Sequence, residues 1–519
     1  MRNIKRVFWL NIALYFVGAG LLIRADWLTY GSDPQRDGWA KSESILTGDN
    51  AKNIKLEWQA HLDNASKELN SLTAPLVVEQ LVTPRGFKDA VIVAGASDNV
   101  YAIDSDTGKI MWKKTFTVAG KPKSPSGFLC PNALNATPVI RSAFGKWTVY
   151  VVASDGKLHS LNAVDGEDRM PPIQFVPPYS KPWSLNLVGD VIYTTLSPGC
   201  NGSTSGVYSL NLKDPAHPVK VFQASTAGAG IWGRAGAAVS QDGLIYVETG
   251  DGPYDVQKGK FSDSFLAISE DDLKLVDYYT PANHQYLTHK DLDMGCISPI
   301  VFPFMHRGLV AGGGKEGVLY LLDAKSLGGA DHKTPLFRSP RYANEEVNLA
   351  GRGFWGAFAS WQDPKGTRWL YAPALGPQAS GSPEFKTTYG AAPHGSIMAF
   401  RVEESNGSPV LTPAWRSRDL SVPEPPIVAN GVVYALSNGE NVQSIHESGR
   451  LLTSQERAST PSGNATLYAF DAETGKELFS SGKTMPGFSH FSGMAIANGH
   501  VYVVTYQNIL YSFGLGIDQ

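Results

Sequence analysis

Cysteine is scarce: three in 519 residues, Cys130, Cys200 and Cys296. None forms C-x-x-C or C-x-x-C-H, which removes the usual zinc and thioredoxin motifs and a covalently attached c-type haem. Charge is sparse too, at 18%, with a net charge of -3. No dense Lys/Arg stripe lies beyond the N-terminus, so a nucleic-acid partner is not expected. Long apolar runs are missing after the first residues, so no further membrane span is expected. Residues 1–25 are the exception. Arg2, Lys5 and Arg6 precede the uncharged run Val7 to Ile23, and the composition turns polar at Asp26. This pattern is that of an export signal, giving a periplasmic or secreted protein. Ile23 is large for the position before a cleavage site, so an uncleaved N-terminal anchor stays open.

Gly 53, Pro 33 and 11% aromatics are abundant. They suit many turns between short strands, not long helices or disorder. The clearest unit is Val91 to Trp112, V-I-V-A-G-A-S-D-N-V-Y-A-I-D-S-D-T-G-K-I-M-W. Two β-branched runs flank a polar turn, and a second turn leads into a third run. Comparable units begin near Thr73, Thr137, Ser184, Ala237, Ile297, Gly356, Pro426 and Gly493. A small sheet cannot bury both faces alone, so the units must stack on one another. The last has three strands before the chain ends, and the orphan strand Lys55 to Ala60 supplies its fourth. The expectation is an all-β, eight-bladed β-propeller of four-stranded antiparallel blades, one domain over 26–519, closed by that N-terminal strand. Seven blades are the alternative.

The stretch Ala102-Ile103-Asp104-Ser105-Asp106-Thr107-Gly108-Lys109-Ile110-Met111-Trp112 resembles the tryptophan-docking repeat A-x-D-x-x-T-G-x-x-x-W of quinoprotein alcohol dehydrogenases. Ala469 to Phe479 repeats it with Phe479 for Trp. The resemblance covers about residues 26–515 and is closest to exported bacterial PQQ-like repeat proteins. It implies a funnel on one face, built from the loops leading into each first strand and the loops between second and third strands. It also implies PQQ with Ca²⁺ or a lanthanide as cofactors. Trp232, in Gly230-Ile231-Trp232-Gly233, matches the residue that stacks under the quinone. Asp251 stands where the family has a metal-ligating Asn. Asp291 and Asp293 match the W-D-x-D carboxylates, the first a metal ligand and catalytic base; Lys290 replaces the Trp. Lys315 matches the basic residue that reaches the quinone. Trp183, Arg352, Trp355, Phe488 and His490 fall on the same face, and the insertions Gly376 to Gly395 and Asn438 to Gly463 are candidates to roof it.

The departures are equally specific. The family's disulfide between adjacent cysteines has no counterpart, and the loop Ser197 to Ser203 lacks its Glu ligand. Cys130 and Cys200 both fall in loops on the funnel face, which suggests a Cys130–Cys200 bridge; Cys200–Cys296 stays open. Each candidate residue also has a plain role in packing or turn formation. Two functions follow. One is a PQQ- and metal-dependent dehydrogenase of a small alcohol or sugar, passing electrons to a separate acceptor. The other is a non-catalytic propeller that binds a protein, glycan or small ligand in the same funnel.

Overall fold

The computed structural model describes residues 25–143, 145–344, 352–441, 448, 450, 452–461 and 463–516. The apolar run proposed as an export signal lies outside them. No described helix is long and apolar enough to cross a membrane.

The chain forms eight four-stranded antiparallel blades in a ring. Blade 1 comprises Leu76–Thr83, Gly86–Gly95, Asn99–Asp104 and Ile110–Thr115, paired in that order. The first strands of successive blades touch one another all the way round, and that of blade 8 touches that of blade 1. Blade 8 has the sheet order Lys55–His61, Ile509–Gly514, His500–Thr505, Met494–Ala497, so the N-terminal strand is its outer edge. That closure leaves no blade with a missing strand.

Burial explains why inner strands read as unbroken apolar runs. Ala90 to Ala94 are all buried, because both faces of the blade meet a neighbouring blade. The outer strand Ile110–Thr115 buries only Trp112. Its indole Nε1 donates to Ala163 O of the next blade at 2.9 Å. The ring lies against Gly166, where φ is 74° and a Cβ would collide with it. Trp58 sits likewise on Gly108 and Trp415 on Gly475. Asp104 Oδ1 holds the turn by accepting Thr107 N and Thr107 Oγ1. The repeat motif is thus an inter-blade latch.

Residues 25–43, which carry no repeat pattern, are ordered by contacts with every blade in turn. Trp27 and Val77 exchange backbone hydrogen bonds in blade 1, and Ile140 N donates to Leu28 O in blade 2. Arg36 reaches Leu185 O of blade 3. Val239, Val301, Ser360 and Val428 of blades 4 to 7 donate to Pro34, Gln35, Asp37 and Gly38 carbonyls. Gly499 N of blade 8 donates to Glu43 Oε2. The segment threads the ring as a plug, and Tyr30 projects from it to line the axial cavity.

The two insertions differ. In Asn438 to Gly463, Glu440 pairs with His490, and Arg457 lies over Phe128, so this insertion spans the funnel. Gly376 to Gly395 does not roof it. Thr387–Thr388 pairs with Trp415 and Arg416 of the outer strand of blade 6, and Phe385 packs on Tyr342 and Phe400. Phe385 anchors this otherwise polar insertion at the blade's edge.

Candidate functional site

Four loops of blades 4 and 5 are tied together at the funnel. Gly250 N donates to Gly230 O, Trp232 N to Gly295 O, and Lys315 N to Asp293 O. The approach is close enough that a Cβ on Gly250 would strike Asp293 Oδ1, and one on Gly295 would strike Gly230 O. The glycines of this region therefore set how near the acidic loops can come.

This packing brings together Asp251, Asp291, Asp293 and Lys315. One carboxylate oxygen from each aspartate lies within 4.8 Å of the others. Lys315 Nζ donates to Asp291 Oδ1 at 2.6 Å and to Asp293 Oδ2 at 2.5 Å. Asp251 N donates to Asp293 Oδ1 at 2.8 Å. Asp293 and Lys315 are buried, whereas Asp251 and Asp291 are partly exposed to the funnel.

One lysine cannot neutralise three carboxylates, and the ionisation divides accordingly. Burial alone would raise Asp293, but the Lys315 charge and the hydrogen bonds it accepts hold it well below the usual carboxylate range. Burial and the neighbouring Asp293 push Asp251 up to about 7 and Asp291 up to about 6. Burial opposes the Lys315 charge, but Asp293 and Asp291 hold its pKa above the ordinary lysine value. The cluster thus contains one fixed ion pair and two carboxyls poised to exchange protons near neutrality.

Around it runs a sequence of alternating cations and aromatic rings. Lys315 lies 5.3 Å from the Trp355 ring, and Trp355 stacks at 6.3 Å on Phe491. Arg234 is 5.9 Å from Phe491 and 5.4 Å from Trp183. Lys181 follows, 5.0 Å from Trp183 and 5.7 Å from Trp232. Burial and the Arg234 charge lower the Lys181 ammonium to about 7. Its Nζ donates to Phe128 O at 3.4 Å. Leu129 and Cys130 come next in the chain, and Cys130 is bonded to Cys200 with a Cα–Cα distance of 5.2 Å. Cys296 is a buried free thiol beneath Asp293.

Trp183, Trp355 and His490 therefore face this region as their loops suggest. Phe488 instead is buried and stacks on Tyr506. Sequence reasoning missed Lys181, Arg234 and Tyr30. The first two were legible in principle, since Lys181 and Arg234 each lie two residues from a tryptophan already singled out, Trp183 and Trp232. Tyr30 carried no signal, because the plug has no repeat pattern.

Two family models match parts of the chain. The β-propeller domain of glucose/ethanol/alcohol dehydrogenases matches residues 27–171, and the outer membrane protein assembly factor BamB matches 429–515. The chain is thus an eight-bladed β-propeller with PQQ-like repeats over those two stretches. Among solved structures it is similar to the quinohemoprotein alcohol dehydrogenase of Comamonas testosteroni, at 15% identity over 95% of this chain and 81% of that one, TM-score 0.61. It is also similar to a europium-containing methanol dehydrogenase, at 13% identity over 94% and 98%, TM-score 0.57. No curated protein matches it. At such identities the likeness to these structures is one of fold.

Proposed function

We propose that the funnel binds a flat anionic quinone of the PQQ kind together with Ca²⁺ or a lanthanide, and serves the oxidation of a small alcohol or sugar. The observation that carries this reading is the Asp251, Asp291, Asp293 and Lys315 cluster, bonded through Gly295 to Trp232. The donor set fits a hard cation: three carboxylate oxygens lie close together, and one lysine leaves them over-negative. A Ca²⁺ ion takes six to eight oxygens, so the other ligands would come from the quinone and water. When bound, the quinone and cation supply the hydride acceptor and its polarisation.

The chain's own groups have distinct tasks. Asp251 and Asp291 would face the cation. Trp232 would stack on the quinone, and Lys315 and Lys181 would oppose its carboxylates. Asp291, partly exposed and held near 6, would accept the substrate hydroxyl proton. Asp293 would keep Lys315 and the Asp251 loop in place. Electrons would pass to a separate acceptor protein. A second reading, ligand binding without turnover, is favoured by Lys315, which already occupies the space between Asp291 and Asp293.

Titration with PQQ plus Ca²⁺ or La³⁺ tests the proposal. The quinone absorbance should shift, and dye reduction should follow with an alcohol panel. Asp291→Ala should lose turnover while its circular dichroism is unchanged. Cation affinity should rise with pH through about 6 to 7, since Asp251 and Asp291 must release protons to become ligands. No spectral change with either metal sinks the quinone reading. A shift without dye reduction selects the non-catalytic one. The same proposal makes residues 1–25 an export signal or anchor. N-terminal sequencing of the protein from its natural host should begin near Asp26; an intact Met1 on a protein free in the cytoplasm would contradict export.

A further inference from the structure

Beside the acid cluster, the axis of the ring holds a small, partly open cavity of about 20 Å³. Tyr30, Thr73, Asn135, Trp183, Arg234 and His490 are among its lining residues. Arg234 is the notable group. Its guanidinium lies between the Trp183 and Phe491 rings and makes no hydrogen bond or ion pair among the described residues. A guanidinium positioned by two rings offers its N–H groups in a fixed plane, which suits a bidentate oxyanion.

Glu424 and Glu440 are the carboxylates near it, but neither forms a direct bond to it among the described residues. Glu440 is committed to Arg457 at 2.6 Å and to His490 at 2.7 Å. Glu424 is fully buried; its Oε2 accepts Gly493 N, and burial pushes its carboxyl up. Lys181, on the other side of Trp183, adds a second cation. Neutral recognition groups are present as well. Asn70 Nδ2 and Asn135 Oδ1 are buried side-chain atoms on this wall with no hydrogen-bond partner among the described residues. The cavity also adjoins the acid cluster, since Phe491 stacks on Trp355 and Trp355 lies over Lys315.

We propose that the axial cavity is an oxyanion subsite that holds the carboxylate of a hydroxy acid on Arg234, and that in a longer sugar acid the hydroxyl end is directed out past Phe491 towards the acid cluster. The hydroxyl end rests on the function proposed above. The carboxylate end stands on the cavity alone.

The test uses the full chain with no added quinone or metal, so its outcome is separate from that of the quinone titration. Calorimetry compares glycolate and gluconate with ethylene glycol and glucose. Each acid should bind about tenfold or more tightly than its neutral counterpart, the gain expected of one charge-assisted pair. Arg234→Gln should erase that preference, and Arg234→Lys should keep part of it. Inorganic phosphate should compete with gluconate. Equal binding of acid and neutral partner, or a preference that survives in Arg234→Gln, overturns the subsite. Phosphate binding with no affinity for either acid overturns the carboxylate assignment. If Arg234→Gln fails to fold, the wild-type comparison and Arg234→Lys still decide.

Discussion

Replacing Lys315 with methionine should destabilise the protein by about 3–5 kcal/mol at pH 8, the cost of removing one partner from a buried ion pair. Lys315 and Asp293 are both buried, and the ammonium spans Asp291 and Asp293. Without it, three carboxylates face one another. The deficit should depend on pH in a definite direction. In the wild type, Asp293 has a depressed pKa. Its contribution is present above the unfolded carboxylate value and is lost only as pH falls through its lower folded value. Asp251 and Asp291 are raised, so each costs stability as pH climbs through about 6 to 7. In Lys315→Met, Asp293 joins that second group. The gap to wild type should be widest at pH 8 and shrink towards pH 5, where protonation relieves the repulsion. Ca²⁺ or La³⁺ should substitute for the lost charge. At a hundredfold excess over Kd, binding restores about 2.7 kcal/mol. Urea unfolding at several pH values, with and without cation, reads all of this. Equal stability of variant and wild type at pH 8 would show that Lys315 does not hold the cluster.

The second large effect concerns the plug. Arg36 is 1% exposed, and its guanidinium donates to Thr29 Oγ1 at 2.5 Å, Tyr30 O at 2.7 Å, Leu185 O at 2.8 Å and Ala237 O at 3.3 Å. It thereby joins the plug to blades 3 and 4. Arg36→Leu should cost about 3 kcal/mol or more, because several buried acceptors lose their donor together. The plug should also become cleavable. Limited proteolysis should cut between residues 26 and 50 in the variant and spare the wild type. A variant as stable and as resistant as wild type would mean that the backbone bonds to the blades suffice without Arg36. Loosening of the plug would also disturb Tyr30, and with it one wall of the axial cavity.

How much of this was readable beforehand differs from element to element. The blades were readable because each is built from contacts close in sequence. Val91 to Trp112 contains its strands, its turns and the Trp112 that docks on the next unit. Closure by Lys55–His61 was readable by counting, since one strand was missing and one was spare. The separate roles of the two insertions were not. Both are long and polar, and only packing shows that one crosses the funnel while the other lies along the edge of blade 6.

At the site, the sequence by itself determined which residues share a face. Asp251 and Lys315 lie in loops between second and third strands, Asp291 and Asp293 in a loop leading into a first strand, and strand alternation alone puts both loop types on one side. Their ionisation was decided by tertiary structure. It depends on distances of a few ångströms between groups that burial deprives of solvent, as in the Lys315 contacts to Asp291 and Asp293. The same holds for residues 25–43 and for Arg234. Neither has a local pattern, because the plug takes its hydrogen bonds from eight different blades and Arg234 takes its position from rings in blades 3 and 8. Periodic sequence specifies the ring; what occupies its centre is specified only once the ring has closed.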